Sequence, residues 1–169
     1  MDSENIFIIG AMGSGKSSIG KLLAEKTGRQ FIDTDKEIEK NSKYDISTIF
    51  REYGEKCFRT KETTALLKLD QVKNHIIATG GGIILEQVNI NFMKEMGLII
   101  FLDISLKAQI KRVKYRRHRP LLKSYNLEEK LKVLKNERDA IYNKIADYII
   151  DVSEKDKNTV VNEIENKLL

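Results

Sequence analysis

The 169-residue chain has one proline, one cysteine and no tryptophan. With a single thiol, Cys57, no internal disulfide and no Cys-x-x-Cys metal or redox site can form. Cys57 lies beside Phe58 and is expected to be a small packed side chain. Neither histidine, His75 or His118, is near it in sequence to serve as a base. The single proline, Pro120, leaves no rigid spacer, and no repeat, low-complexity tract or linker interrupts the chain. No apolar run approaches the roughly 18 residues needed to span a bilayer. The first residues, Met1-Asp2-Ser3-Glu4-Asn5, are acidic and polar and lack the basic start of a secretory signal. A cytoplasmic protein with no membrane partner is expected. Acids are missing from one stretch: from Lys111 to Lys123 there are seven basic residues and no acid, within a net charge of +5. Such a block is either a solvated helix face or a site for polyanions, nucleic acid and nucleoside triphosphates among them.

Short apolar runs alternate with longer helical patterns. Ile6–Ile9, Gln30–Ile32, His75–Thr79, Leu98–Leu102 and Tyr148–Val152 are each bounded by turn residues or acids and are apolar on both faces, as buried parallel strands are. Between them, Ser17–Lys26 reads as a helix stopped by Gly28, and Lys61–Val72 as a second with Ala65, Leu66, Leu69 and Val72 on its apolar face. Asn126 stands three residues before Glu129, a capping arrangement for a helix running through Arg138 to Tyr142. Val160, Val161, Ile164 and Leu168 mark a last helix. Strands alternating with helices over this length predict one α/β domain with a parallel sheet, whose ligands bind beyond the carboxyl ends of the strands.

Gly10-Ala11-Met12-Gly13-Ser14-Gly15-Lys16-Ser17 fits G-x-x-x-x-G-K-[ST] in full, after a predicted strand and before a predicted helix. Gly13, Ser14 and Gly15 let the backbone turn successive N–H groups toward phosphate oxygens, and the helix start adds its positive dipole end. Lys16 supplies a charge for the β- and γ-phosphates, and Ser17 a hydroxyl for Mg²⁺. The motif specifies a nucleoside triphosphate and leaves the acceptor open.

Four further features bear on the acceptor. Asp33-Thr34-Asp35 ends the second strand; its acids suit a metal and an attacking hydroxyl, or merely cap a helix over Lys36–Lys40. Arg59 and Glu62 are spaced to meet on one helix face, as a surface ion pair or as a fixed fork for a carboxylate. Gly80-Gly81-Gly82 follows a buried strand, where close backbone approach to a ligand is expected. Arg119-Pro120-Leu121-Leu122 sits in the basic block, where an arginine could close over the triphosphate.

Taken in order along nearly the whole chain, these motifs and Arg138 resemble shikimate kinase. The resemblance implies a single-domain three-layer α/β/α P-loop kinase over residues 1–169. Its central parallel five-stranded sheet would be like that of nucleoside monophosphate kinases, with a substrate-binding region near 34–61 and a lid near 114–125. It also implies transfer from ATP to the 3-hydroxyl of shikimate, on the route to chorismate and aromatic amino acids, by a monomer that needs Mg²⁺ and has no nucleic-acid partner. On this analogy Asp35 binds hydroxyls and acts as base, Arg59 and Arg138 clamp the carboxylate, and Gly81 and Gly82 offer backbone contacts. Ser17 and Asp33 serve the metal, and Lys16 and Arg119 the transferred group. Ser18, where a threonine is frequent in the family, joins the nucleotide loop; Arg112 and Lys155 flank the adenine. The lid, with Arg116, Arg117 and His118 before Arg119, is unusually basic for the family. Rival readings are another small-molecule P-loop kinase, such as a gluconate or nucleotide kinase, and a nucleic-acid-binding ATPase or regulatory protein. Only Tyr115 and Tyr125 flank the basic block, so the aromatic platform the latter needs is missing.

Overall fold

The computed structural model describes residues 4–114 and 126–168. Five strands, β1 (Asn5–Ile9), β2 (Gln30–Asp33), β3 (His75–Ala78), β4 (Gly97–Asp103) and β5 (Tyr148–Asp151), form one sheet in the order β2-β3-β1-β4-β5. Every pairing is parallel, with Ile8 level with both Ala78 and Ile100, so the strands end together along one edge. Among the described residues seven α-helices surround it: α1 (Lys16–Thr27), α2 (Thr34–Ser42), α3 (Ile46–Leu67), α4 (Gln87–Met96), α5 (Leu106–Val113), α6 (Leu127–Ile145) and α7 (Lys157–Leu168).

The alternation of side chains along the strands builds two cores. Ile6, Ile8, Ile76, Ile100 and Leu102 face α1 and α7 through Ile19, Leu23, Val160 and Ile164. Phe7, Ile9, Ile77, Ile99 and Phe101 face the other way, onto Leu66, Met93, Tyr142 and Ile145 of α3, α4 and α6. Each such aliphatic side chain contributes about 1.5–3 kcal/mol by leaving water, which is why the continuous apolar runs become two-faced strands. The result is the expected three-layer parallel architecture. A third, smaller cluster of Ile38, Ile49 and Phe58 joins α2 to α3 beside the sheet edge.

Local signals set several boundaries. Gly28 adopts the left-handed conformation that ends α1, and the Asn126 side chain accepts from Glu129 N at the start of α6. The second predicted helix differs from expectation. It begins at Ile46, where the Asp45 carboxylate accepts from Thr48 N at 2.6 Å, and ends at Leu67 instead of Val72. Leu69 N and Val72 N instead bond three residues back, to Leu66 O and Leu69 O, tightening the chain into turns. Buried Asn5 then donates from Nδ2 to Val72 O at 2.6 Å and accepts at Oδ1 from His75 N at 3.0 Å, steering the chain into β3. Within α3, Gly54 has φ 78° and ψ 171°, a backbone state open in practice to glycine alone, and it kinks the helix. The kink separates Ile49 and Phe50 from the Phe58–Glu62 turn.

Candidate active site

A cavity of about 780 Å³ opens beyond the carboxyl ends of the strands. Ala11, Met12 and Ser17 line one end of it, and Asp33, Asp35, Arg59, Glu62, Gly80–Gly82 and Arg138 the other. The strand order reverses around β1, the place where such sheets leave a crevice for ligands.

At the phosphate end, Gly15 caps α1 in a left-handed conformation and Lys16 is the first helical residue. Its Nζ bends back to donate to Gly10 O at 2.8 Å and Ala11 O at 3.0 Å, which fixes the ammonium over the loop. Ser14 N donates to Ala11 O at 3.2 Å, closing the turn. Ser18, expected at the nucleotide, donates its hydroxyl locally to Gly15 O at 3.0 Å. Arg112 donates to Val152 O and, at 3.2 Å, to Ser153 O, so the structure joins it to the turn after β5. Lys155 lies on that turn but is tied to Glu163 at 2.5 Å. Arg119 lies outside the described residues, as does the segment 115–125 where a lid is expected.

The acceptor end is built from opposed charges. Glu62 is fully buried, and its Oε2 accepts from Arg59 Nη1 at 2.5 Å. Glu55 Oε1 takes Arg59 Nε and Nη2 at 3.3 and 3.1 Å. Glu62 Oε1 has no partner among the described residues. Burial pushes the Glu62 carboxyl up to about 7; Arg59 opposes the rise and Asp35 adds to it. The surface-pair reading of Arg59 and Glu62 is therefore replaced by a partly buried guanidinium fork held on a fully buried carboxylate. Arg138 Nη1 donates to Gly81 O at 3.3 Å, while its Nε is buried with no partner among the described residues. Tyr142 also donates to Gly81 O, stacked on Phe101 with ring centroids 4.8 Å apart. Burial pushes the Tyr142 hydroxyl above its ordinary range, so it remains a donor.

The triple glycine takes its meaning from these side chains. A Cβ on Gly80 would stand 2.9 Å from Asp35 Oδ1 and nearer still to Glu62 Oε1, and one on Gly82 would enter the Arg59 guanidinium. At Gly80 and Gly82 the protein's own charged groups stand close to the backbone. Asp33 Oδ1 caps α2 by accepting from Asp35 N at 3.1 Å and Lys36 N at 3.4 Å, and the residue also lines the cavity.

A family model for shikimate kinase matches residues 12–169. The chain belongs to the shikimate kinase family. The shikimate kinase of Nitrosococcus oceani is 39% identical over 164 residues, covering 97% of this chain and 86% of that protein. The structure of the shikimate kinase from Acinetobacter baumannii in complex with shikimate superposes with a TM-score of 0.94 at 37% identity, over 98% of this chain and 92% of that one. Deoxyadenosine kinase from M. mycoides with bound dATP, at 22% identity and a TM-score of 0.62, shares the fold. As a member of the shikimate kinase family the chain is an ATP-dependent kinase.

Two residues of this shikimate kinase family site escaped the motif reading. Tyr142 reads as an ordinary core aromatic, and only its contact with Gly81 O gives it another part. Gln109 reads as one polar residue on a basic helix, yet it is 2% exposed and donates to Met12 O at 2.9 Å. No local signal separates either from a packing residue.

Proposed function

We propose that this kinase transfers the γ-phosphoryl group of ATP to the 3-hydroxyl of shikimate, yielding shikimate 3-phosphate and ADP. Family membership supports the reaction, and one observation supports the site: a single cavity joins the phosphate loop at Ser17 to two arginines and a carboxylate at Arg59, Arg138 and Asp35. A small acid bearing hydroxyls needs that combination, a cationic fork for the carboxylate and an acceptor for the hydroxyl proton.

Lys16, already held by Gly10 O and Ala11 O, meets the β- and γ-phosphates together with the N–H groups of Gly13, Ser14 and Gly15. Arg59, braced by Glu62, and Arg138 both line the cavity and clamp the substrate carboxylate. Asp35 orients the attacking hydroxyl and takes its proton, at the end of the cavity where Gly81 and Gly82 offer backbone contacts to the ring. Residues 34–61 form the substrate-binding region of a single kinase domain spanning residues 1–169. Arg112, with the turn bearing Lys155, borders the adenine. The protein works as a cytoplasmic monomer.

The residues present also fit Mg²⁺. Among the described residues no three His, Cys, Asp or Glu groups cluster as a protein cage, and this ion uses one or two protein oxygens beside phosphates. Ser17 and Asp33, both lining the cavity, would hold it. The ion held there would supply positive charge to offset that of the triphosphate.

Coupled measurement of ADP release with and without shikimate and Mg²⁺ tests the proposal. Rapid release only when both are present is expected. Release indifferent to shikimate would discard the acceptor and turn the search to gluconate and nucleoside monophosphates.

A further inference from the structure

Gln109 holds the phosphate loop from outside the motif. It is buried on α5 and its Nε2 donates to Met12 O at 2.9 Å. A carbonyl oxygen only accepts, so the amide nitrogen must face it and the amide has one orientation. That orientation leaves Oε1 buried with no partner among the described residues. Buried acceptors are seldom left unpaired, so the bond to Met12 O is kept at the expense of another.

Gly13 explains why the bond matters. Its φ is +85°, and without a Cβ it tolerates either orientation of the Met12–Gly13 peptide. A phosphate cradle works only while its N–H groups point inward. A turn of this one peptide would withdraw the Gly13 N–H and bring the Met12 carbonyl toward phosphate oxygens. We propose that Gln109 is a positioning residue for the nucleotide, locking the Met12–Gly13 peptide in its phosphate-binding orientation.

The same helix reinforces the lock. Val113 fills the place where a Gly13 Cβ would stand, at 2.7 Å, and Arg112 ties α5 to Val152 and Ser153. The inference rests on reading Gly10–Ser17 as the ATP phosphate site.

Titration calorimetry with MgADP, in the absence of acceptor, tests it. Gln109→Met keeps length and volume but removes the donor. It should weaken MgADP about tenfold, raise the KM for ATP by a similar factor, and leave the acceptor KM within about twofold and the thermal midpoint near wild type. Gln109→Glu keeps the shape but sets an oxygen against Met12 O; it should weaken MgADP further, and it keeps the test decisive if the methionine variant does not fold. Wild-type MgADP affinity in both variants would overturn the proposal. So would an equal rise in both KM values accompanied by lost thermal stability, the signature of packing alone. Failure of the wild-type protein to bind MgADP would instead remove the phosphate-site reading beneath it.

Discussion

Gly82 and Arg59 are matched in shape: a Cβ on Gly82 would lie 2.5 Å from the guanidinium carbon of Arg59 and closer to both terminal nitrogens. The clash is with the far end of a flexible side chain, and Gly82 itself has an unstrained φ of −102°. Gly82→Ala should therefore fold normally while pushing Arg59 from its place beside Glu62. The KM for shikimate is expected to rise at least tenfold, the loss of a charge-assisted hydrogen bond of about 1.5–3 kcal/mol, with the KM for ATP little changed. Steady-state kinetics in each substrate checks this; an unaltered shikimate KM would mean that Arg59 does not bind the acceptor.

Glu62 gives a pH signature of unusual sign. Its carboxyl titrates near 7 in the fold against 4.5 in the unfolded chain, because burial disfavours the charge. The folded state thus binds the proton more tightly, and the stability this contributes is full below about pH 4.5 and lost as pH rises through 7. The difference in unfolding free energy between wild type and Glu62→Gln should shift against wild type by roughly 3 kcal/mol across that window. Denaturant unfolding of both proteins from pH 4.5 to 8 reads it directly, and a difference that stays flat would show an ordinary carboxylate.

Two substitutions at Asp33 separate its capping from its proposed metal role. Asparagine caps helices as well as aspartate does, whereas alanine costs about 1 kcal/mol. Asp33→Asn should keep wild-type stability and need more Mg²⁺ for half-maximal rate; Asp33→Ala should show that defect and lose stability as well. Thermal melts alongside Mg²⁺ titrations of activity give both numbers. Wild-type Mg²⁺ dependence in the asparagine variant would confine Asp33 to capping.

Lys16→Ala should lower kcat by a hundredfold or more with any acceptor, the scale seen when one preorganised electrostatic group is removed. Of the two carbonyls that Lys16 engages, Ala11 O belongs to a residue lining the cavity, where water can replace the ammonium, so folding should persist. ADP release measured on protein of normal circular dichroism is the check.

Much of this molecule is legible in one dimension where the cause is local. Five apolar runs become five strands, the central β1, β3 and β4 buried on both faces and the edge strands β2 and β5 only in part. Gly28 and Asn126 end and begin helices through their own backbone and side chain. The phosphate loop declares itself because its glycines, lysine and serine act on one short stretch of backbone. The prediction failed at the α3 helix, whose start is set by Asp45 and whose end is drawn away by Asn5, sixty-seven residues from Val72.

By itself, then, the sequence determined the strand pattern, the nucleotide loop and the family. Tertiary structure alone decided that Glu62 is buried rather than a surface partner of Arg59, that Gly80 and Gly82 make room for protein charges, and that Tyr142 and Gln109 hold Gly81 and Met12. The reason is physical. Burial, and with it a shifted proton affinity or an obligatory hydrogen bond, depends on which distant segments enclose a side chain, and residues 57 and 97 positions apart, Arg138 from Gly81 and Gln109 from Met12, become neighbours only when the sheet has closed its layers around β1.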